Sequence, residues 1–322
     1  MSAATAKKLS VVIPFLNEQE NLPVLYERLI GALDGQPEKF EIIFVDDGST
    51  DGSARWVAEK AAEDGRVRML RLSRNFGHQI AITAGLDRAS GDAVVIMDAD
   101  LQDPPEVIPA LVKKWREGLE VVYAVRESRE GETWLKKFLA AAFYQIFHKL
   151  AQVEVPMHAG DFRLVDRKVV EALREVRELH RFMRGLTSWV GFSQCAVEYK
   201  RAARYAGRTK YPVWKSLNLA WDGLTSFSGA PLRWIMGLGV LVSLGGGLLA
   251  LQLIGYKFFG VRESTPGWTS QMTLLLILSG AQLICLGMLG QYVSRIFEES
   301  KKRPLYFVRE QINQPNNQPR EQ

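Results

Sequence analysis

The chain has 322 residues, 47% of them hydrophobic and 24% charged, with a formal net charge of +5. That length admits one sizeable domain plus something smaller. No basic run is interleaved with base-stacking aromatics, which excludes a nucleic-acid stripe and leaves anionic surfaces or phosphate ligands as partners. The two cysteines, Cys195 and Cys285, lie far apart with no zinc spacing, excluding a disulfide framework and making a reducing compartment the default.

In chain order, the short polar start through Leu9 does not read as a signal peptide, so the domain is expected to stay on the side where it is made. Leu9–Pro14 reads as a buried strand, followed after Asn17 and Glu18 by an amphipathic helix to about Leu33. Phe40–Val45 is a second apolar strand ending in Asp46-Asp47-Gly48-Ser49, and Ser49 or Asp51 is placed to cap a helix reaching about Glu63. Val67–Leu72 is a third strand, Ile80–Arg88 a third helix, and Ala93–Met97 a fourth strand. Continuous apolar strands alternating with helices predict a parallel sheet covered on both faces. Ligands of such folds bind beyond the carboxyl ends of the strands. Asp46/Asp47 and Asp98/Asp100 occupy two of those ends.

The run Asp98-Ala-Asp-Leu-Gln-Asp-Pro-Pro105 is the most informative stretch. On an extended backbone residues i and i+2 share a side, so Asp98 and Asp100 are expected to share one divalent cation. Hard oxygen donors of this kind suit Mg²⁺ or Mn²⁺, ions that also hold nucleotide phosphates.

Past Tyr123 the alternation weakens. Residues 134–150 carry a broad apolar helical face, read either as core or subunit contact or as a membrane-interface helix. Val213–Phe227, with Trp214 and Trp221 on its stripe, reads as an interfacial helix. Trp234–Phe259 and Met272–Val293 read as two spans, each long enough for a bilayer core of roughly 30 Å. Arg233 before them and Arg295, Lys301, Lys302 and Arg303 after them place both chain ends inside. The end of the tail, 313–319, reads as disordered. The chain shows no internal repeat.

Five motifs in order carry a resemblance that covers nearly the whole chain. They are residues 11–18 (Val-Val-Ile-Pro-Phe-Leu-Asn-Glu), 45–51 (Val-Asp-Asp-Gly-Ser-Thr-Asp), 73–77 (Ser-Arg-Asn-Phe-Gly), 98–105, and 160–167 (Gly-Asp-Phe-Arg-Leu-Val-Asp-Arg). Together they resemble the polyprenyl-phosphate glycosyltransferases of glycosyltransferase family 2. The likeness is greatest to the bactoprenol (undecaprenyl-phosphate) glucosyltransferases, with the dolichol-phosphate mannose synthases related. The resemblance implies a GT-A fold and inverting, single-displacement transfer from a nucleotide sugar, glucose from UDP-glucose, to a polyprenyl phosphate. It also implies a homo-oligomer, a tetramer, and contact with membrane lipids. The domain plan is a GT-A domain over 1–212, an interfacial helix over 213–230, two transmembrane helices over 231–296 and a cytoplasmic tail over 297–322. This describes a multi-pass inner-membrane protein with its catalytic domain and both termini cytoplasmic.

By the same resemblance, Pro14, Asn17, Glu18, Asp46 and Asp47 form the nucleotide pocket. Asp98 and Asp100, with Gln102 nearby, bind the cation that bridges the diphosphate. Arg126 falls where the family places phosphate-binding arginines, and Arg129 is an equal candidate for a bidentate phosphate grip. Asp161 matches a carboxylate of the acceptor site. A phosphate monoester is largely ionised near neutral pH, its second ionisation lying at about 6, so Asp161 is read as base or as acceptor-orienting group. Arg163, Arg181, Arg184, Arg204, Arg208 and Lys210 supply acceptor-side cations, and residues 207–210 resemble the family's mobile acceptor loop. Processive synthases carry Gln-x-x-Arg-Trp; here Ala230 stands in place of that glutamine before Arg233-Trp234, so polymerisation is not expected. Other sugars (mannose, N-acetylhexosamine, formamido-arabinose) and a non-catalytic membrane scaffold remain as alternatives.

Overall fold

A computed structural model of the chain describes residues 7–126 and 159–199, parts of 235–252, and 267–313. It divides into two compact units, Met1–Gly223 with Pro304–Gln322, and Leu224–Arg303. The first unit holds β1 (Lys8–Phe15), α1 (Leu22–Leu33), β2 (Lys39–Asp46), α2 (Ser53–Glu63) and β3 (Val67–Leu72). It continues with α3 (His78–Arg88), β4 (Ala93–Ile96), α4 (Ile108–Arg116), β5 (Val121–Arg126) and β6 (Ala159–Asp166). It closes with α5 (Arg167–Glu175), α6 (Met183–Trp189), β7 (Gln194–Tyr199) and β8 (Val308–Ile312). The strands form one eight-stranded sheet in the order β7-β5-β6-β4-β1-β2-β3-β8.

The central strands β3, β2, β1 and β4 are mutually parallel, as the alternating sequence requires. Residues Leu9, Val11–Ile13 and Ile42–Val45 are buried, which is how strands read when helices cover both faces. Helix α1 buries Leu22, Leu25, Leu29 and Leu33, an i, i+3, i+4 stripe. Helix α3 is buried continuously from Ile80 to Leu86 because sheet lies beneath it and α5 packs against it. A Cβ at Gly85 would collide with the Val12 side chain and come 3.1 Å from that of Val45, so this glycine permits the close approach.

Two features escape the alternation rule. Strand β6 is antiparallel to both β4 and β5, and sits between them. Its last pair with β4 joins Ile96 to Arg163; continued two residues, that register puts Asp161 level with Asp98. Strand β8 pairs antiparallel with β3, so part of the segment expected to lie apart as a tail closes the sheet edge. The side chain of Asn313 donates to Val67 O at 3.1 Å and to Ala61 O, and Tyr306 Oη donates to Asp87 at 2.9 Å.

The second unit contains α7 (Trp268–Ser300). Among the described residues no helix is long and apolar enough to cross a membrane. A crossing needs a continuous run of about 20 apolar residues. Along α7 the apolar residues are interrupted by Ser279, Gly280, Gln282, Gly287, Gly290, Gln291 and Arg295. The multi-pass inner-membrane placement with two spans, catalytic domain and both termini cytoplasmic, is overturned by this finding. The expected helices at 134–150 and 213–227 lie outside the described residues.

Candidate active site

The carboxyl ends of β1, β2 and β4 carry the predicted residues. Pro14 pairs in register with Val45 inside the sheet. Asn17 stands at φ +56°, a left-handed conformation that asparagine tolerates better than most residues. Its backbone N–H donates to Ser49 Oγ at 3.0 Å and its Oδ1 accepts the Thr50 N–H at 2.8 Å. The Glu18 N–H donates to Ser53 Oγ at 2.9 Å, and a Glu18 carboxylate oxygen accepts from Asn21 at 2.6 Å. Asn17 and Glu18 thus lace the end of β1 to the turn after β2.

Asp46 and Asp47 diverge. Asp46 is fully buried, with Oδ1 accepting the Ser49 N–H at 2.7 Å and Oδ2 lying 3.1 Å from Arg71 Nε. Asp47 accepts the Phe76 N–H at 2.7 Å through Oδ1 and the Gly77 N–H at 3.0 Å through Oδ2. Burial pushes the Asp47 carboxyl up, and these two backbone donors only partly offset it. Gly48, at φ +84°, lets the loop approach: a Cβ there would lie 2.8 Å from Asn75 N. Asp47 therefore fixes the loop Ser73–Gly77 against the strand ends.

The acidic run is a turn, not an extension of the strand. Strand β4 ends at Ile96, so the i, i+2 alternation expected for Asp98 and Asp100 does not apply. Leu101 adopts φ +60°, an unusual state for a non-glycine residue, and Asp100 Oδ1 accepts the Gln102 N–H at 3.1 Å. Gln102 and Asp103 are buried. Asp103 accepts from Tyr199 Oη, and Arg126 lies 3.8 Å away. Arg126 Nε in turn donates to Tyr199 Oη at 3.2 Å, and its guanidinium lies beside Gly160. Asp98 Oδ1 is buried without a directed hydrogen bond, though His78 Nε2 is 3.3 Å away. Burial chiefly, together with the nearby Asp161, Asp103 and Asp100, pushes the Asp98 carboxyl up to about 6 against the pull of His78.

Asp161 is the best-anchored group, only 6% exposed. Arg184 reaches it through Nε at 2.9 Å and Nη2 at 3.4 Å, Gln79 Nε2 donates at 3.3 Å, and His78 Nε2 lies 3.4 Å away. Burial opposes its charge, but Arg184 and His78 outweigh it and hold the carboxyl well below the usual range. Burial also opposes a charge on His78, yet Asp98 and Asp161 on either side push it up to about 9. The structure thus brings Asp98, Asp161 and Arg184 together around His78 and Gln79. The last two follow directly on the motif 73–77, and that adjacency was the only sequence signal for them.

Other predicted cations serve the scaffold. Arg163 is buried, donates to Gly160 O at 2.8 Å and to Thr187, and is lowered to about 10 chiefly by burial. Arg181 donates to the carbonyls of Leu173 and Val176. Arg129, Arg204, Arg208 and Lys210 lie outside the described residues.

Among the described residues no three His, Cys, Asp or Glu side chains converge as a complete metal cage. The donor set nevertheless fits a divalent cation that takes its remaining ligands elsewhere. Asp98 offers a buried, unbonded carboxylate oxygen, and Asp100 is near enough to raise the Asp98 carboxyl.

A largely parallel α/β sheet with carboxylates gathered at its strand ends defines a GT-A-type transferase domain. The signature of "Glycosyl transferase family 2" matches residues 10–174. The chain belongs to glycosyltransferase family 2, and it is a glycosyltransferase. It is 47% identical to a Bacillus subtilis protein named "Uncharacterized glycosyltransferase YkcC" over 93% of this chain and 92% of that protein. It is 42% identical to the bactoprenol glucosyl transferase of Shigella phage SfV, over 94% of this chain and 98% of the relative. A Mycobacterium tuberculosis glucosyl-3-phosphoglycerate synthase crystallised with Mn²⁺ and UDP-glucose aligns at 21% identity and a TM-score of 0.47. That alignment covers 68% of this chain and 79% of the synthase, a likeness too slight to bear on function.

Proposed function

We propose that this enzyme transfers glucose from UDP-glucose to a polyprenyl phosphate with inversion. The observation that carries the reading is the Asp161–Arg184 pair gathered with Asp98 around His78, which lies 3.4 Å from Asp161 and 3.3 Å from Asp98. Relatives named bactoprenol glucosyl transferase, matched over nearly their full length, support glucose as the sugar and a polyprenyl acceptor. In a single displacement, an acceptor phosphate oxygen attacks the anomeric carbon. The bond from that carbon to the nucleoside diphosphate breaks, and its electron pair leaves with the diphosphate.

Each group on the site has a role in that step. The Asp46 end of β2 holds the nucleoside and Asp47 keeps the adjoining loop in place. Asp98 and Asp100 would hold a divalent cation, Mg²⁺ or Mn²⁺, which when bound would supply charge neutralisation for the departing diphosphate. Arg184, held at its far end by Asp161, supplies positive charge for the incoming phosphate. Since Asp161 is strongly acidic and the acceptor is already ionised, Asp161 orients the acceptor side instead of removing a proton.

The test uses purified full chain, UDP-[¹⁴C]glucose, a short-chain polyprenyl phosphate and MgCl₂ or MnCl₂. Radiolabel is expected in the organic phase, with EDTA or Asp100→Asn lowering turnover at least 100-fold while thermal unfolding is unchanged. No lipid-linked product with UDP-glucose, against product with another nucleotide sugar, overturns the donor. No product with any nucleotide sugar overturns the reaction.

A further inference from the structure

Gln79 is the second residue of α3, and its side chain joins the two elements that present the acceptor-side pair. Its Nε2 donates to Asp161 Oδ2 at 3.3 Å, and its Oε1 accepts the Met183 N–H at 2.9 Å. Because Oε1 faces a backbone donor, the orientation of the amide is determined and its NH₂ must point at Asp161. Met183 opens α6 and immediately precedes Arg184, whose Nε donates to Asp161 Oδ1 at 2.9 Å. One amide therefore holds the carboxylate by its nitrogen and the helix carrying the guanidinium by its oxygen. The backbone beneath it is firm, since Gln79 O accepts from Thr83 Oγ1 at 2.8 Å and α3 is buried from Ile80 onward.

Asp161 comes from β6, Arg184 from α6 and Gln79 from α3, so no local sequence rule aligns them. With Arg184 spanning both carboxylate oxygens and Gln79 donating to Oδ2 while its own oxygen holds the start of α6, neither rotation of Asp161 nor a shift of α6 leaves the pair intact. We propose that Gln79 is a positioning residue for acceptor attack, setting Asp161 and Arg184 in the arrangement that receives the polyprenyl phosphate. This rests on the glucosyl-transfer reading above.

A tie between α3 and α6 that is merely structural and a positioning role predict different outcomes for two variants. In Gln79→Glu the side chain keeps its shape and an oxygen that accepts the Met183 N–H, but loses the donor and sets an anion against Asp161. In Gln79→Leu both bonds are lost. A structural tie survives the first substitution; the positioning role does not.

The experiment measures kcat and KM for UDP-glucose and for short-chain polyprenyl phosphate on the full chain, with thermal unfolding and UDP binding as controls. For Gln79→Glu the expectation is kcat down roughly 10- to 100-fold or acceptor KM raised similarly. The KM for UDP-glucose and the UDP affinity stay within about twofold, because the nucleoside end is untouched. Gln79→Leu is expected to show the same kinetic loss together with a lower unfolding midpoint. Wild-type kcat and acceptor KM in Gln79→Glu, while the wild type turns over, overturn the positioning role and leave the reaction standing. A wild type that glucosylates no polyprenyl phosphate, and accepts no other nucleotide sugar, overturns both.

Discussion

At the residue scale, the site is organised by one imidazole between two unequal carboxylates. His78 lies 3.3 Å from Asp98 and 3.4 Å from Asp161, and the two acids are driven in opposite directions. Asp161, gripped by Arg184, stays ionised; Asp98, with one carboxylate oxygen buried and no such partner, is pushed up to about 6. His78 itself is raised from 6.5 to about 9. A group whose folded pKa is raised contributes stability that is complete below its unfolded value and is lost as pH rises through the folded value. The window for His78 is therefore pH 6.5 to about 9. With a third of the side chain exposed, solvent screening reduces the contribution to about 1 kcal/mol. Urea titrations of metal-free protein at pH 6.5 and 9 should show the wild type losing this increment and His78→Gln losing none of it. Equal losses in the two proteins would remove the charged imidazole from the picture.

At the element scale, the helices are placed by how closely they reach the sheet. Helix α3 brings His78 and Gln79 to the strand ends because Gly85, two turns on, lets its backbone settle onto Val12 and Val45. Gly85→Ala inserts a methyl into space held by the branched, fully buried Val12 side chain. The expected cost is about 1–3 kcal/mol. It should appear as a lower urea midpoint, with turnover per folded molecule reduced as α3 lifts from the sheet. A more stable Gly85→Ala protein, the usual result for glycine to alanine in an unconstrained helix, would contradict this packing. Helix α5 secures the C-terminal end of α3: its Arg174 donates to Leu86 O at 2.6 Å and to Asp87 O and Ala89 O at 3.0 Å. Much of this was legible in the sequence. The β1–β4 strands and α1–α3 fall within a few residues of where apolar runs and helical stripes put them. The acidic turn was legible as a cluster but not as a shape, because alternation along a strand ends where the strand does, at Ile96.

At the scale of the molecule, the sheet is finished by a segment that the sequence sets apart from it. Strand β8 covers the free edge of β3, Tyr306 reaches Asp87, and Asn313 caps carbonyls of Ala61 and Val67. A chain ending at Arg303 would leave the β3 edge open, and open edges invite pairing between molecules. That truncation is expected to lower the unfolding midpoint of the first unit by several degrees and to promote aggregation, read by light scattering. An unchanged midpoint would make β8 dispensable.

The sequence by itself determined the parallel βα core, the family and where along the chain the candidate site residues lie. Those depend on local periodicity and on motifs whose members lie within a few positions of one another. Only the tertiary structure decided which carboxylates share an environment. Asp161 reaches Asp98 through an antiparallel strand threaded between β4 and β5, a pairing that no periodicity encodes. That strand also gives His78 and Gln79 a partner in Asp161, and at the opposite edge of the sheet pairing with β3 turns an apparent tail into a strand. Hydrophobic pattern specifies which face of an element is buried, but long-range register specifies what that element is buried against, and the chemistry of this site lies in the register.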